Sequence, residues 1–397
     1  MFEKIVAAPD DPILGLTEEF KSDPRVEKIN LGVGIYKDES GNTPVLKTVK
    51  KAETILLAKE TTKSYLSISG TPEYGLAVQK LLFGNEAMVI AEKRVQTAQA
   101  PGGTGALRLA AEFIKRQLGD VKVWVSDPTW ANHNGIFAAA GLSVAAYGYY
   151  NTETKDMDFA GMLEDLKTAE ANDVVLLHGC CHNPTGIDLD TAQWQQLAVL
   201  CNNKNLLPMF DFAYQGFAFG VEEDAAGLRI FTDSCAELLV ASSFSKNFSL
   251  YNERVGAFTI VGKTAENTAT AFSQIKNIAR VIYSNPPAHG AAIVTLILNN
   301  TNLRAEWEQE VTNMRVRIQE MRKQFVATLT EEGVDGNFNF IQRQNGMFSF
   351  SGLNRKQVGR LKDEFSVYIV SSGRISIAGM MRSNIGTLCK AIAAVSK

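Results

Sequence analysis

The stretch V-A-S-S-F-S-K-N-F-S-L-Y-N-E-R-V-G, residues 240–256, decides how the rest of the sequence is interpreted. It begins within an apolar run, residues 238–241, that predicts a buried strand, and it then presents Lys246 and, eight residues later, Arg254. A lysine amine that is partly desolvated or close to other cations has a lowered pKa and becomes a nucleophile. A lysine at a strand end more often points into solvent, so the remainder of the chain must decide between these alternatives.

Length, composition and charge exclude several classes of protein. The chain has 397 residues, of which 45% are hydrophobic and 21% charged, as in globular proteins large enough for two lobes. Its formal net charge of -3 gives no basic field, so we expect no nucleic-acid partner. No apolar run reaches the roughly 20 residues of a membrane span and the N-terminus shows no signal-peptide core, so we expect no membrane partner and a cytoplasmic location.

The cysteines and histidines do not indicate a metal site. Cys180 and Cys181 are adjacent and no second pair of the CxxC type occurs, so buried free thiols are the better prediction. His178 and His182 stand four residues apart, but no carboxylate or helix accompanies them. This favours structural histidines over metal ligands.

Strand and helix patterns alternate from residue 44 to about residue 313, which predicts an α/β domain with a mostly parallel sheet covered on both faces. Apolar residues then recur every three or four positions from Leu303 to Leu329 without glycine or proline. This pattern predicts a long helix over about residues 301–331 that links two domains. Residues 1–43, an N-terminal arm and part of the second domain, and residues 314–397 are predicted to form a smaller α+β domain.

Chemically useful residues follow the predicted strands at their carboxyl ends, where open α/β sheets bind ligands. Gly103 and Thr104 open a predicted helix whose free N–H groups favour an anion, and Trp130 offers a flat indole face for stacking. Taken alone, a Gly-rich turn and a core tryptophan are both common. Asp211 ends an apolar run, so its carboxylate needs a cationic partner, and Tyr214 follows three residues later.

A single ligand accounts for the whole set. Pyridoxal 5'-phosphate (PLP) carries a phosphate, a ring nitrogen, a phenolate oxygen and an aldehyde on one flat ring. Hydroxyls and an arginine fork suit the phosphate, and a carboxylate suits a protonated ring nitrogen. The phosphate matches Thr104, Ser243, Ser245 and Arg254, and the ring nitrogen matches Asp211. The phenolate oxygen matches Tyr214 and Asn183, the aldehyde matches Lys246, and the flat ring matches Trp130.

Five motifs stand in order along the chain: P-G-G-T-G-A-L, H-N-P-T-G, D-F-A-Y-Q-G-F, S-F-S-K-N and N-E-R-V-G. Through them the sequence resembles the fold-type I, subgroup I aminotransferases, and more narrowly the bacterial aspartate and aromatic enzymes. The resemblance extends from D-P-I-L-G-L at residues 11–16 to S-G-R at residues 372–374. It implies a large domain with a seven-stranded, mostly parallel sheet, a smaller α+β domain, and a homodimer whose active sites are shared between subunits.

The resemblance also implies roles for individual residues. Lys246 would be the Schiff-base lysine and proton shuttle of a ping-pong transamination, with Asp211 and Tyr214 as the other catalytic residues. Arg374 and the backbone of Gly34 would bind the α-carboxylate, and Arg280 would reach across the subunit interface to a distal carboxylate. The cofactor-binding set would comprise Gly103, Thr104, Ser243, Ser245, Lys246, Arg254, Asp211, Tyr214, Trp130 and Asn183, the last two also facing substrate, and Tyr65 of the neighbouring subunit.

Other positions must distinguish aspartate from aromatic enzymes, because both resemble this chain at the two arginines. Polar residues at the pocket mouth disfavour a phenyl ring, so we expect transamination of L-aspartate with 2-oxoglutarate to oxaloacetate and L-glutamate. Aromatic or dual specificity is the alternative. The residues that match the aspartate type are Lys37, Thr43, Thr104 and Asn285, where the aromatic type tends to have tyrosine, isoleucine, serine and serine. Ile35 and Ser64 depart from the aspartate type, which has valine and asparagine at these positions.

Two other classes stay open at this stage. A PLP-dependent lyase or decarboxylase could use the same cofactor residues, but it would not need Arg280 for a second carboxylate. A catalytically silent binding protein on the same fold would not need Lys246, and it would lack the yellow absorbance of a lysine-bound cofactor.

Overall fold

The computed structural model describes residues 1–7, 14–334 and 338–396, so residues 11–13 of the D-P-I-L-G-L motif lie outside the described part of the chain. The chain divides into two compact units. The domain boundaries that the sequence indicates after residues 43 and 313 stay a prediction. The large unit comprises Pro44–Asn183 and Ile187–Val316, and the small unit comprises Met1–Thr43, Pro184–Gly186 and Arg317–Lys397.

The large unit contains the seven-stranded, mostly parallel sheet that the sequence predicts. Neighbouring strands are parallel except at the seventh strand in chain order, which is antiparallel to both of its neighbours. The order across the sheet is β1-β7-β6-β5-β4-β2-β3. The strands are β1 Val95–Pro101, β2 Lys122–Asp127, β3 Ser143–Gly148, β4 Val174–His178, β5 Leu207–Phe212, β6 Leu238–Ser243 and β7 Val255–Val261.

Strands β4, β6 and β7 are buried along their whole length. Their sequences V-V-L-L-H, L-L-V-A-S-S and V-G-A-F-T-I-V are nearly continuous apolar runs, which is the pattern of strands covered on both faces. Such runs cannot place a polar residue inside the sheet without a partner. Polar side chains therefore concentrate where the strands end.

The helix Gly102–Leu118 shows how the core is built. Ala106, Ala110 and Ile114 recur at intervals of four, and all are fully buried because they pack against the sheet. The helix ends at Gly119, whose φ of 79° is a backbone conformation that suits glycine. The other helices that the structure describes in the large unit are Lys47–Lys59, Pro72–Phe83, Met88–Ala91, Asn132–Ala139, Phe159–Lys167, Thr191–Asn203, Ala226–Ser234, Ala265–Ile282 and His289–Asn299, together with a short Glu223–Ala225 3₁₀ turn and the strand pair Tyr150–Asn151 and Asp156–Met157.

The small unit combines two short strand pairs with helices. Strand Ile29–Asn30 pairs in parallel with Val367–Tyr368, and Phe348–Phe350 pairs antiparallel with Arg374–Ser376. The predicted long helix is a single element, and the division between the units falls within it, after Val316. The helical segments here are Phe2–Lys4, Leu14–Ser22, the end of Thr301–Glu331, Phe340–Arg343, Arg355–Phe365, Ile377–Gly379 and Arg382–Ser396.

Two expectations about the whole chain can be compared with the described residues. None of their helices is long and apolar enough to cross a membrane. All five cysteines are free and buried, which confirms the prediction from their spacing.

The buried ring of Phe258 allows a test of the core. Phe258 lies at the centre of β7, fully buried, beside Ala98 of β1 and Ala241 of β6. Because truncation leaves a cavity, Phe258→Ala should lower the free energy of unfolding by about 3–5 kcal/mol. Phe219→Ala is the control, since that ring is 66% exposed, and its effect should stay within about 0.5 kcal/mol. Urea denaturation at a fixed protein concentration measures both, and equal effects would contradict the described core.

Candidate active site

Lys246 lies in the turn that follows β6, where its own carbonyl accepts a hydrogen bond from the backbone N–H of Ser249 at 3.0 Å. Its Nζ lies over the ring of Tyr214, 4.8 Å from the ring centroid. Loss of solvent around the amine lowers the pKa of Lys246 to about 8; the charge of Arg254 lowers it further, while the carboxylate of Asp211 opposes the shift. The amine is therefore far more often neutral than that of an ordinary lysine.

Asp211 lies near the end of β5, and its Oδ2 is 3.0 Å from Nε2 of the fully buried His133. Burial by itself would raise the pKa of Asp211, but the hydrogen bond and the electrostatic interaction with His133, together with those from His178 and Lys246, outweigh burial, so the pKa is lowered overall. The carboxylate thus stays ionised although it is buried. The cationic partner expected from the sequence is accompanied by an imidazole N–H that the sequence did not suggest.

A chain of hydrogen bonds fixes the proton positions around Asp211. The backbone N–H of Asn183 can only donate, so it donates to Nδ1 of His178 at 3.4 Å, and Nε2 of neutral His178 then donates to Oγ1 of Thr129 at 3.2 Å. The hydroxyl of Thr129 can then donate to Nδ1 of His133 at 2.8 Å, with Nε2–H of His133 directed at Asp211. Burial lowers the pKa of His178 to about 3, in agreement with a neutral ring.

The start of the helix Gly102–Leu118 forms an anion cradle with the ends of β6 and β7. The helix has no side-chain cap, so its first N–H groups are available to a ligand. A Cβ on Gly102 would lie 2.3 Å from Nη2 of Arg254, and one on Gly103 would lie 2.9 Å from Cβ of Ser243. Only glycine permits this approach.

The donors of this cradle come from the last residue of β6 and from the segment that follows it. Nη1 of Arg254 donates to Oγ of Ser245 at 3.3 Å, and Oγ of Ser243 donates to the same oxygen at 3.2 Å. Thr104 is exposed in the first turn of the neighbouring helix. Two hydroxyls, a guanidinium and a helix N-terminus are together the donor set that a phosphate requires.

The loop that carries Tyr214 is held by a buried carboxylate. Asp224 accepts backbone hydrogen bonds from Gly216 at 2.8 Å, Ala218 at 3.0 Å, Phe219 at 2.8 Å and Gly220 at 3.3 Å. Burial raises the pKa of Asp224, and these four bonds oppose that shift. Both carboxylate oxygens are therefore engaged in shaping the loop.

The cysteine and histidine side chains near this loop are packed against other protein groups. Within the described part of the chain, Cys180, Cys181 and Asp224 form a group whose ligand atoms lie within 4.8 Å of one another. Because Asp224 already serves four N–H groups, the group supports the loop and does not suggest an ion site. His182 stacks on Tyr149 with ring centroids 3.8 Å apart, and its Nε2 is 2.8 Å from Oγ of Ser126.

Trp130 and Asn183 also belong to this region of the large unit. The indole of Trp130 is partly buried and meets the ring of His133 edge to face, with centroids 5.2 Å apart. Asn183 is buried, and its backbone begins the hydrogen-bond chain to Asp211. Trp130 and Asn183 are thus connected to Asp211 through His133 and His178, and not through sequence proximity.

Arg374 and Gly34 lie in the small unit. The guanidinium of Arg374 is buried against the face of Phe348, with its Cζ 4.2 Å from the ring centroid, and Nη2 donates to the carbonyl of Gly32 at 2.5 Å. A Cβ on Gly34 would lie 2.4 Å from Cζ of Phe348. Gly34 therefore leaves the space that the ring beside Arg374 occupies.

Tyr65 and Arg280 are on the surface of the large unit. Tyr65 is 93% exposed, so it makes little contact with the described residues of its own chain. Arg280 is exposed in the last turn of Ala265–Ile282 and hydrogen-bonds with Ser284. The roles expected for these two residues in a neighbouring subunit stay predictions.

Four residues could not be identified as important from the sequence: His133, Thr129 and Asp224 in the large unit, and Phe348 beside Arg374 in the small unit. Thr129 directly follows the D-P of the D-P-T-W segment at the end of β2, so its position at a strand end could have suggested a role. For the other three, no local pattern distinguishes them from ordinary residues. Their roles arise from contacts with distant parts of the chain.

Comparison with known proteins identifies a family. Residues 26–392 match the family model for aminotransferase class I and II. The chain is 58% identical to an aspartate aminotransferase of Escherichia coli (strain K12) and 59% identical to one of Salmonella typhi, over 395 residues that cover 100% of each chain. A crystal structure of an aromatic-amino-acid aminotransferase from Burkholderia pseudomallei, covalently bound to pyridoxal phosphate, matches with a TM-score of 0.97 at 46% identity and covers 100% of both chains.

The lowered pKa of Lys246 can be measured directly. In ligand-free protein with ¹³C-labelled lysine Cε, the resonance that is absent from Lys246→Met should titrate at about 8. Asp211→Asn should lower this midpoint, because the anion that favours the ammonium is lost, and Arg254→Met should raise it, because a repelling cation is lost. Glu237→Gln neutralises an exposed carboxylate at the opposite end of β6 and should leave it unchanged. A midpoint near the ordinary lysine value of about 10.4 would contradict the assignment.

Proposed function

The chain belongs to the aminotransferase class I and II family, and from this premise we propose that it transfers the amino group of L-aspartate to 2-oxoglutarate, giving oxaloacetate and L-glutamate. The two half-reactions follow a ping-pong order, in which one 2-oxo acid leaves before the other enters. The observation that carries the proposal is the position of Lys246. Its amine, with a pKa lowered to about 8, lies beside the anion cradle and near the buried carboxylate of Asp211.

The residues of the large unit fit pyridoxal 5'-phosphate as the cofactor. The missing Cβ atoms of Gly102 and Gly103 let Arg254 and Ser243 approach an uncapped helix N-terminus, where they and Ser245 add donors for a phosphate. When bound, the cofactor supplies an electron sink for the substrate α-carbon. The other proposed contacts are Thr104 at the phosphate, Asp211 at the ring nitrogen, Asn183 and Tyr214 at the ring hydroxyl, Trp130 at the ring face, Lys246 at the aldehyde, and Tyr65 of the neighbouring subunit.

Two of these residues manage protons. Asp211, which the N–H of His133 helps to keep ionised, would stabilise a proton on the ring nitrogen of the bound cofactor. Nζ of Lys246 would take the proton from the substrate α-carbon and give it to the cofactor carbon that carried the aldehyde. It would thus act first as general base and then as general acid. A pKa of about 8 suits both roles, because each protonation state is accessible near neutral pH.

Substrate recognition depends on two arginines. We assign the α-carboxylate to Arg374, with the backbone of Gly34 nearby, because the planar fork of a guanidinium binds carboxylates in bidentate fashion. We assign the distal carboxylate of a dicarboxylic substrate to Arg280 of the neighbouring subunit. The exposure of Arg280 and Tyr65 supports this assignment, since neither side chain is occupied within its own chain by extensive contacts. The proposed enzyme is accordingly a cytoplasmic homodimer of two-domain subunits.

Aspartate is preferred over aromatic substrates in this proposal. Identity favours it, since the named aspartate aminotransferases are 58–59% identical to the chain and the aromatic enzyme of known structure is 46% identical. The polar residues Lys37 and Thr43 point the same way. Burial lowers the pKa of Lys37, and Oγ1 of Thr43 donates to the carbonyl of Tyr36 at 3.1 Å. Aromatic or dual specificity is the second candidate, because Ile35 and Ser64 depart from the aspartate pattern.

Steady-state kinetics of Arg280→Leu test the substrate class. With 2-oxoglutarate held as acceptor, wild type should show a higher kcat/KM for aspartate than for phenylalanine. Loss of the guanidinium leaves the distal carboxylate unpaired, so kcat/KM for aspartate should fall by about 10³-fold or more, with a much smaller change for phenylalanine. Lys276→Leu removes an exposed charge one turn earlier on the same helix and should change neither value.

The results separate the remaining classes. If wild type used phenylalanine as well as aspartate, the polar-mouth argument would be wrong and the aromatic assignment would replace it. Full dicarboxylate turnover by Arg280→Leu would favour a lyase or decarboxylase. Purified protein without the yellow absorbance of a lysine-bound cofactor would favour a binding protein.

Mixed dimers test whether the active sites are shared. Lys246→Ala and Arg280→Leu chains, each inactive toward aspartate, are co-expressed with different tags and purified as mixed dimers. One of the two sites then combines an intact Lys246 with an intact Arg280 from the other chain, so about half of wild-type activity should return. Mixed dimers of Lys246→Ala and Arg374→Ala are the control and should stay inactive, because both residues act within one subunit. Equal inactivity of the two mixtures would disprove shared sites.

A further inference from the structure

Arg322 is a buried cation in the small unit, only 1% exposed, in the second half of the helix Thr301–Glu331. Nη2 donates to the carbonyls of Phe348 and Gly346, both at 2.7 Å, and of Asn345 at 3.1 Å. Nη1 donates to the carbonyl of Ile341 at 3.1 Å and to Oγ of Ser349. One guanidinium therefore binds five oxygens within the segment 341–349.

A buried guanidinium is an expensive means of holding a loop. Its desolvation is unfavourable, and apolar residues of similar volume often stabilise a fold as well or better. What the guanidinium adds is direction, because its donors are fixed in one plane and require each acceptor at a defined angle. Arg322 thus fixes the course of the chain through Gly346 and Phe348 more tightly than apolar packing would.

The segment that Arg322 holds leads directly to Arg374. Arg322 binds the carbonyl of Phe348, and Cζ of Arg374 lies over the ring of the same residue, 4.2 Å from the ring centroid. Phe348 and Ser349 also pair with Ser376 and Ile375 of the strand that carries Arg374. A shift of this segment would move both the ring and the backbone that orient Arg374.

We propose that Arg322 is a positioning residue for carboxylate recognition: by holding residues 341–349 it fixes the face of Phe348 that orients Arg374. This inference depends on the proposed function, in which Arg374 binds the α-carboxylate. Every substrate of the enzyme has that carboxylate, whereas the distal carboxylate is present only in dicarboxylic substrates. Disturbing Arg322 should therefore weaken the binding of aspartate, 2-oxoglutarate and phenylalanine alike, which distinguishes it from loss of Arg280.

The test uses two variants of the cofactor-loaded enzyme that perturb the contact to different degrees. Arg322→Lys keeps the charge but cannot reach five oxygens, and Ser349→Ala removes one acceptor only. KM for aspartate, 2-oxoglutarate and phenylalanine should rise about tenfold or more in Arg322→Lys and less in Ser349→Ala, with kcat changed by at most about threefold. The dissociation constant of the unreactive dicarboxylate succinate, from calorimetry, should rise in parallel.

Arg94→Lys is the matched control. Arg94 donates to the carbonyls of Gly262 at 3.0 Å and Ala236 at 3.2 Å in the large unit, so its replacement also disturbs an arginine held by carbonyls. KM and succinate affinity should not change in this variant. Unchanged KM values in both Arg322→Lys and Ser349→Ala would overturn the inference.

Separate results identify which idea has failed. If Arg374→Lys leaves KM and succinate affinity unchanged, the role of Arg374 in the proposed function is wrong. If Arg374→Lys weakens binding but the Arg322 and Ser349 variants do not, only the present inference is wrong. If Arg322→Lys does not fold, Ser349→Ala and Phe348→Leu test the inference instead. Phe348→Leu removes the ring that faces Arg374 and leaves the backbone carbonyl that Arg322 binds in place.

Discussion

The site depends on keeping one buried carboxylate ionised. Burial alone would raise the pKa of Asp211 and favour its neutral form. A neutral acid could not stabilise a proton on the ring nitrogen of the proposed cofactor. The hydrogen bond from His133 prevents this, and the orientation of His133 depends in turn on Thr129, His178 and the backbone N–H of Asn183. Because that N–H can only donate, it fixes Nδ1 of His178 as an acceptor and turns Nε2 of His178 toward Thr129, so the backbone sets the start of the chain that ends at Asp211.

The antiparallel strand β7 explains why Lys246 and Arg254 lie at one edge of the sheet. The chain leaves β6 at Ser243, turns through Lys246, and enters β7 at Val255 in the opposite direction, with Gly256 beside Ser243. A parallel β7 would require a crossover that carries Arg254 to the far edge. The reversal keeps both ends of the segment beside the helix Gly102–Leu118, so one short stretch supplies the lysine and part of the anion cradle.

The sequence predicted the sheet, the long helix and most residues of the cradle, because these features depend on local patterns. Lys246, Asp211 and Ser243 follow apolar runs, and a residue that ends a parallel strand lies at the edge where ligands bind. His133, Phe348 and Arg322 could not be predicted in this way, since a helical histidine, a strand phenylalanine and an arginine on an amphipathic helix are ordinary residues. Only the fold brings them to their partners. The predicted roles of Tyr65 and Arg280 depend on the resemblance alone, because their expected partners belong to a second subunit.

The arginines show why residue type alone does not reveal a role. Arg322 is buried and gives its donors to five neutral oxygens of one segment, so it serves the fold. Arg374 is also buried; it lies over an aromatic ring and donates to the carbonyl of Gly32, and these contacts orient its guanidinium. Arg280 is exposed near the end of a helix. The same residue type therefore holds a segment of the fold at one position and lies at the surface at another, and only the three-dimensional contacts distinguish these cases.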